Sequence, residues 1–239
     1  MQQDGQLEGR TALVTGASQG IGAATAKALA AAGAHVILTA RDVRKLEAVE
    51  DEIHDAGGAS TIAPMDLTEP DSVARLAAAI GGRWDTLDIM VLSAAYLPTL
   101  TPVTQIDPKQ FATAITTNLL ATQALLAAFD PLLKRSKKGR IIGLTSSVGH
   151  NPRAFWSAYG TTKAAFESLL DSYAMEVAKM GDLRVAIVDP GSTRTAMRAK
   201  AYPGEDPATV KSPDIVAARI VELADGDFET RHRERIDEA

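Results

Sequence analysis

The sequence predicts an α/β fold, a doubly wound parallel sheet with helices on both faces. Three observations carry this reading. Short β-rich apolar runs alternate with helical stretches along the 239 residues, the first run opens through glycines into a helix, and no linker or internal repeat divides the chain. Strands alternating with helices at this spacing imply βαβ units with right-handed crossovers. The chain therefore reads as one domain over residues 1–239.

The elements follow in order. TALVT, residues 11–15, is the first strand, and Gly16-Ala-Ser18-Gln19-Gly20-Ile21-Gly22 is a turn into an alanine-rich helix that reaches residue 32. Glycines permit positive φ and let the backbone approach a pyrophosphate, while the helix N-terminus supplies amide donors. The spacing is Gly-x-x-x-Gly-x-Gly rather than the commoner Gly-x-Gly-x-x-Gly. Two other readings compete: a tight βα turn without a ligand, and a hydrolase nucleophile elbow, because Gly16 to Gly20 also fits Gly-x-Ser-x-Gly. The elbow lacks organised His and Asp partners. Further strands are expected at 35–40, 60–65, 88–92, 140–145 and 183–188, with helices at 43–56, 70–80, 111–133 and 157–179.

Composition narrows the function. Hydrophobic residues make up 46% and charged residues 23%, an ordinary globular balance with length enough for a sizeable core. Net charge is −5 without a dominant basic block, which argues against nucleic acid as a partner. The run KRSKKGR at 134–140 reads as a solvated helix end. With no cysteine, disulfides, thiolate chemistry and Cys-based metal sites are excluded, and a cytoplasmic location is expected. The polar MQQDGQLEGR start lacks a secretory h-region, and no apolar run approaches the ~20 residues of a bilayer span, so no membrane is expected. His35, His54, His150 and His232 lack ligand spacing, so no metal is expected either.

The chemistry is concentrated in SSVGHNPRAFWSAYGTTK, residues 146–163. Tyr159 and Lys163 stand four residues apart, one helical turn, and project from the same face. A phenol titrates near pH ~10, and an ammonium one turn away favours the phenolate. Ser146 can donate a hydrogen bond to a carbonyl oxygen that receives a hydride, completing an acid/base site for carbonyl–alcohol interconversion. In doubly wound sheets the ligand lies outside the carboxyl ends of the strands. The glycine turn, Asp66, Ser146 and Pro190-Gly191 all fall on that rim.

These residues resemble the short-chain dehydrogenase/reductase family, in a single-domain Rossmann form similar to 3-oxoacyl-[acyl-carrier-protein] reductases. The matching elements, spread from about residue 7 to 223, are Thr15-Gly-x-x-x-Gly-Ile-Gly22, Asp66-Leu67, Asn118, Ser146, Tyr159-x-x-x-Lys163 and Pro190-Gly191 with Thr195. The resemblance implies roles. Tyr159 exchanges the proton, Lys163 lowers its pKa and binds the nicotinamide ribose, Ser146 rather than Ser147 orients the substrate carbonyl, and Asn118 holds a water linking Lys163 to solvent. Asp66 meets the adenine amine, Leu67 flanks the ring, Ser93 and Ala94 line the adenosine side, and Thr193 and Thr195 meet the nicotinamide amide and phosphates.

Cofactor choice turns on the end of the second strand. Ala40 stands where NAD-preferring members carry an acid, and Arg41 follows, which points to NADP(H) because a guanidinium pairs well with phosphate. Asp42 leaves NAD(H) open. The family's Asn-Asn-Ala-Gly is Leu92-Ser93-Ala94-Ala95 here, an expected perturbation of cofactor geometry, and FETRHRERIDEA replaces the usual last strand and glycine-rich tail. A homodimer through the long helices near Asn118 and Tyr159 is the expected oligomer, with a homotetramer the other family form. Residues 194–211 should close the substrate pocket, with Phe155 and Trp156 as another wall, and Arg194, Arg198 and Lys200 either meet an anionic substrate or stand as solvated loop charges. Two function classes result: an NADP(H)-dependent oxidoreductase of a small carbonyl or alcohol, or a dinucleotide-sensing scaffold that kept the fold and lost turnover.

Overall fold

The computed structural model describes residues 5–237. Residues 1–4 of the polar N-terminal stretch and 238–239 of the C-terminal one lie outside it. Seven parallel strands form one sheet in the order β3-β2-β1-β4-β5-β6-β7. They are β1 (Thr11–Thr15), β2 (His35–Thr39), β3 (Ala59–Ile62), β4 (Ile89–Leu92), β5 (Gly139–Leu144), β6 (Leu183–Asp189) and β7 (His232–Arg235). The helices are α1 (Gly20–Ala31), α2 (Val43–Asp55), α3 (Ser72–Gly81), α4 (Pro108–Ile115), α5 (Ala121–Arg135), α6 (Ser157–Val177), α7 (Ala196–Ala201) and α8 (Pro213–Asp225). Strand order reverses between β1 and β4, which opens a crevice at their carboxyl ends.

The period of two along each strand builds two cores. Ala12, Val14, Val36, Leu38, Ile142 and Val188 pack on one face, against Leu29 of α1, Leu46 and Ile53 of α2, and Ile220 of α8. Leu13, Ile37, Met90, Ile141 and Val185 turn to the other face, against Leu76 and Ile80 of α3, Leu125 and Phe129 of α5, and Leu170 of α6. Both faces are covered, so the strands read as nearly continuous apolar runs.

The structure corrects four expectations. FETRHRERIDEA does contain a strand: β7 pairs with β6 from Ala186–His232 to Asp189–Arg235. Its side chains are charged because ion pairs hold it: Arg233 to Glu167 and Asp171, Arg235 to Asp189, and His232 with Glu234 to Arg219. The expected helix 111–133 is interrupted by a π-turn at Thr116–Leu120, which joins α4 to α5. That whole run, Pro108–Arg135, spans 28 residues with a window of mean hydropathy 1.3, long and apolar enough to cross a membrane by length and composition. Counting only unbroken apolar residues missed it. It packs as a core helix, with Leu125, Phe129, Leu132 and Leu133 buried. Lastly, Arg140 of the basic run is not solvated. It is fully buried, paired with Asp182 at 3.2 Å, and bonded to the Asp182 and Gly226 carbonyls.

Candidate active site

A cleft of about 650 Å³ runs along the carboxyl edge, from the β2–α2 corner to the lid helix α7. Its floor begins at the glycine turn. Gly16 has φ +69°, and a Cβ there would stand 2.9 Å from the Ala94 Cα; one on Gly22 would overlap the Gly16 carbonyl. Only glycine permits both approaches. Helix α1 has no side-chain cap, so its first amides, at Gly20, Ile21 and Gly22, face the cleft without a protein acceptor at their cap. Ser18 and Gln19 complete this wall.

At the outer end, Arg41, Asp42, Lys45, Asp66 and Leu67 line the cleft. The side chains of Arg41 and Lys45 are 70% and 55% exposed. Asp42 is engaged as the cap of α2, accepting from the Lys45 amide at 3.2 Å. Asp66 accepts from the Thr68 amide and hydroxyl at 2.8 and 2.7 Å. Burial raises the Asp66 pKa, but these bonds and Arg41 at 4.0 Å outweigh it, so the carboxyl sits below its usual range.

The Leu92-Ser93-Ala94-Ala95 segment is held from β1. Thr15 Oγ1 accepts from the Ser93 and Ala94 amides at 3.0 and 3.1 Å and donates to the Val91 carbonyl. A buried hydroxyl thus supplies the anchoring that the substitution was expected to weaken. Asn118 lies in the π-turn, where its side chain clamps Tyr96: Oδ1 accepts from the Tyr96 amide at 2.7 Å, and Nδ2 donates to the Tyr96 carbonyl and Thr162 Oγ1. Both amide hydrogens are engaged.

Tyr159 and Lys163 lie at the inner end, on α6, and both line the cleft. Lys163 is 3% exposed. Its Nζ donates to the Leu144 carbonyl at 2.7 Å and stands 5.7 Å from the Tyr159 ring centroid. Burial lowers the Lys163 pKa to about 8, against the upward pull of Glu167 one turn on. For Tyr159 the expected direction reverses. Burial, then the Asp189 carboxylate, push the phenol above its ordinary value.

Other candidates fall differently. Ser146 is half-buried and extended, and its hydroxyl makes no hydrogen bond among the described residues, whereas Ser147 Oγ accepts from Arg153 at 3.4 Å. Neither serine lines the cleft; Met197 Sδ, not a serine, stands 4.0 Å from the Tyr159 hydroxyl. Pro190 and Thr195 do line it, and Thr195 caps α7. Gly191 and Thr193 do not, because the Gly191 amide binds Asp189 and the Thr193 hydroxyl binds the Pro190 carbonyl at 2.8 Å. Trp156 packs edge-on to Tyr159 at 6.2 Å, Phe155 is 56% exposed at φ +71°, and neither is among the residues that line the cleft.

Three residues were missed. Lys45 and Met197 gave no motif signal, since a first-turn lysine and a loop methionine are common. Glu167 did give one, the same four-residue spacing that links Tyr159 to Lys163. It is buried, accepts from Thr145 at 2.5 Å and pairs with Arg233 at 2.7 Å.

This arrangement is matched by known proteins. The sequence pattern of the family described as short chain dehydrogenase covers residues 10–206, and the chain belongs to that family. It is an oxidoreductase. It is 37% identical over 210 residues to the oxidoreductase YciK of Escherichia coli (strain K12), covering 87% of this chain and 82% of that one. It superposes on a short chain dehydrogenase from Escherichia coli CFT073 complexed with NADPH, at a TM-score of 0.93 and 35% identity over 98% of this chain and 99% of that one. One from Shigella flexneri 2a complexed with NADP gives a TM-score of 0.92, at 34% identity over 98% of both.

Proposed function

We propose that the chain is an NADP(H)-dependent oxidoreductase that reduces a small ketone or aldehyde, or oxidises the corresponding alcohol. The observation that carries this is one continuous cleft with uncapped amides and the largely exposed cations Arg41 and Lys45 at one end and the Tyr159–Lys163 pair at the other. The cradle suits a dinucleotide because glycine at 16 and 22 lets the turn, the Ala94 backbone and the start of α1 close up beneath the cleft. The amides of residues 20–22, with Ser18 and Gln19, take the pyrophosphate. Asp66 and Leu67 take the adenine, while Arg41 and Lys45 take a 2′-phosphate. Ser93 and Ala94 border the adenosine side, and Pro190 and Thr195 the nicotinamide side. The two neighbours complexed with NADP and NADPH support this choice.

When bound, the nicotinamide supplies or accepts the hydride. In reduction Tyr159 gives its proton to the carbonyl oxygen, and Ser146, which lies just outside the cleft lining and whose hydroxyl makes no hydrogen bond among the described residues, turns inward to donate the second hydrogen bond to that oxygen. Lys163 stabilises the resulting phenolate. The Asn118 side chain is engaged by Tyr96 and Thr162 and its carbonyl accepts from the Thr122 hydroxyl at 3.1 Å, so Asn118 acts in this reading by holding the Tyr96 segment beside the cleft. The alternative reading is a dinucleotide-sensing scaffold that lost turnover, and the Tyr159→Phe substitution separates the two. Exposed Leu120 and Met175 on the long helices support a homodimer, to be separated from a tetramer by light scattering.

Substitution Tyr159→Phe tests the reading. Turnover should fall about 10²–10⁴-fold while NADPH binding stays unchanged. Wild-type turnover in this variant would refute the mechanism.

A further inference from the structure

We infer that the substrate carries an uncharged, apolar group beside its reacting carbonyl, and that this group takes the place of the Met197 side chain against Tyr159. The inference rests on the oxidoreductase reading above. Cleft-lining charges are divided unevenly: Arg41, Asp42, Lys45 and Asp66 all stand at the outer end, and Lys163 alone at the inner end, bound to the Leu144 carbonyl. Around Tyr159 the packing is apolar, and the polar residues of the neighbouring lining, Tyr96, Thr113, Thr117 and Thr145, are uncharged. Leu97 and Val148 pack against Tyr159, backed by Ala95, Leu100, Trp156, Met197 and Ala201, and Trp156 stacks on Tyr202 at 5.8 Å.

The cations of the lid do not reach into this space. Arg198 is held by Glu205 through two bonds, at 2.7 and 2.5 Å, and lies over the Tyr202 ring. Lys200 Nζ donates to the Leu97 carbonyl at 2.9 Å. Arg194 borders a separate groove with Lys27 and Asp214 on the far side of α1. Arg153 reaches Ser147, and His150 reaches Glu167. A carboxylate placed beside Tyr159 would meet only Lys163 and Lys200, whose ammonium groups are already bound to the Leu144 and Leu97 carbonyls, and would lose its hydration for no unengaged cation, a costly exchange. Met197, by contrast, is held by soft contacts, a thioether against a phenol, which an apolar substrate group can replace.

The test uses a matched pair of similar reactivity, 4-methylacetophenone and 4-acetylbenzoate, reduced with NADPH by wild type and by Met197→Arg. Wild type should prefer the neutral ketone at least thirtyfold in kcat/KM, and Met197→Arg should narrow or reverse that ratio. Equal or better use of the carboxylate by wild type would overturn the inference, as would failure to turn over either ketone while NADPH binds normally. Failure to bind NADPH at all would instead overturn the cofactor reading beneath it.

Discussion

The two ends of the cleft are built on opposite principles. At the outer end Arg41 and Lys45 are largely exposed, held only by solvent-facing contacts to Asp66, Asp42 and Gln19 that an anion can replace, and the first amides of α1 lack a capping side chain. At the inner end Lys163 is bound to Leu144, Asn118 to Tyr96 and Thr162, and Glu167 to Thr145 and Arg233. Polar groups there are engaged beforehand, and Tyr159 is packed among apolar residues. The difference teaches that holding a cofactor and setting a proton affinity ask for different solvation. Recognition of a phosphate is helped by exposed cations. A phenol that must keep its proton until hydride arrives is helped by burial.

The comparison is broken most severely at Lys163. A Lys163→Met variant keeps the side-chain volume but removes the charge that stabilises the phenolate, and kcat should fall by about 10²–10³-fold; retained turnover would refute the assigned role. At the other end, Arg41→Ala with Lys45→Ala should weaken NADPH about tenfold per cation, about 1.4 kcal/mol each, while NADH affinity holds. An equal loss for both cofactors, in parallel titrations, would remove the phosphate assignment.

A pH profile sharpens the contrast. The Lys163 ammonium persists below about pH 8 and is lost as pH rises through that value, so turnover should decline on the alkaline side. Glu167 holds that limb up, and Glu167→Gln should move it about one pH unit lower. The neighbouring charges, Asp189 from β6, Arg233 from β7 and His150 before α6, remain in that variant, so a shift isolates Glu167. The smallest effect is expected at the sheet edge. Arg233→Ala, which removes the pairs to Glu167 and Asp171, should cost about 1 kcal/mol, or about 2–4 °C in Tm. An unchanged Tm would show that β7 is held without it.

Legibility followed solvation too. Strands β1 to β6 were readable because both sheet faces are covered and their residues are apolar. Strand β7 escaped because His-Arg-Glu-Arg carries no hydropathy signal, its side chains being held by ion pairs distant in sequence. Helix α8 had its signals, a Ser212 cap, Pro213 in the first turn and Gly226 at the end. At the site, Tyr159 and Lys163 were legible because four-residue spacing is a local property. The reversal of the Tyr159 pKa was not, because burial depends on Leu97, Val148 and Met197 arriving from three other segments. Glu167 shows the limit from the other side: its spacing was visible, but its burial and its partner on β7 were not.

The most direct measurement is an equilibrium fluorescence titration of the purified protein with NADPH and with NADH. The account predicts tight NADPH binding and NADH weaker by at least about tenfold, since the 2′-phosphate meets Arg41 and Lys45. Equal or tighter NADH binding would contradict the assignment of those cations, and binding of neither would contradict the dinucleotide cleft itself.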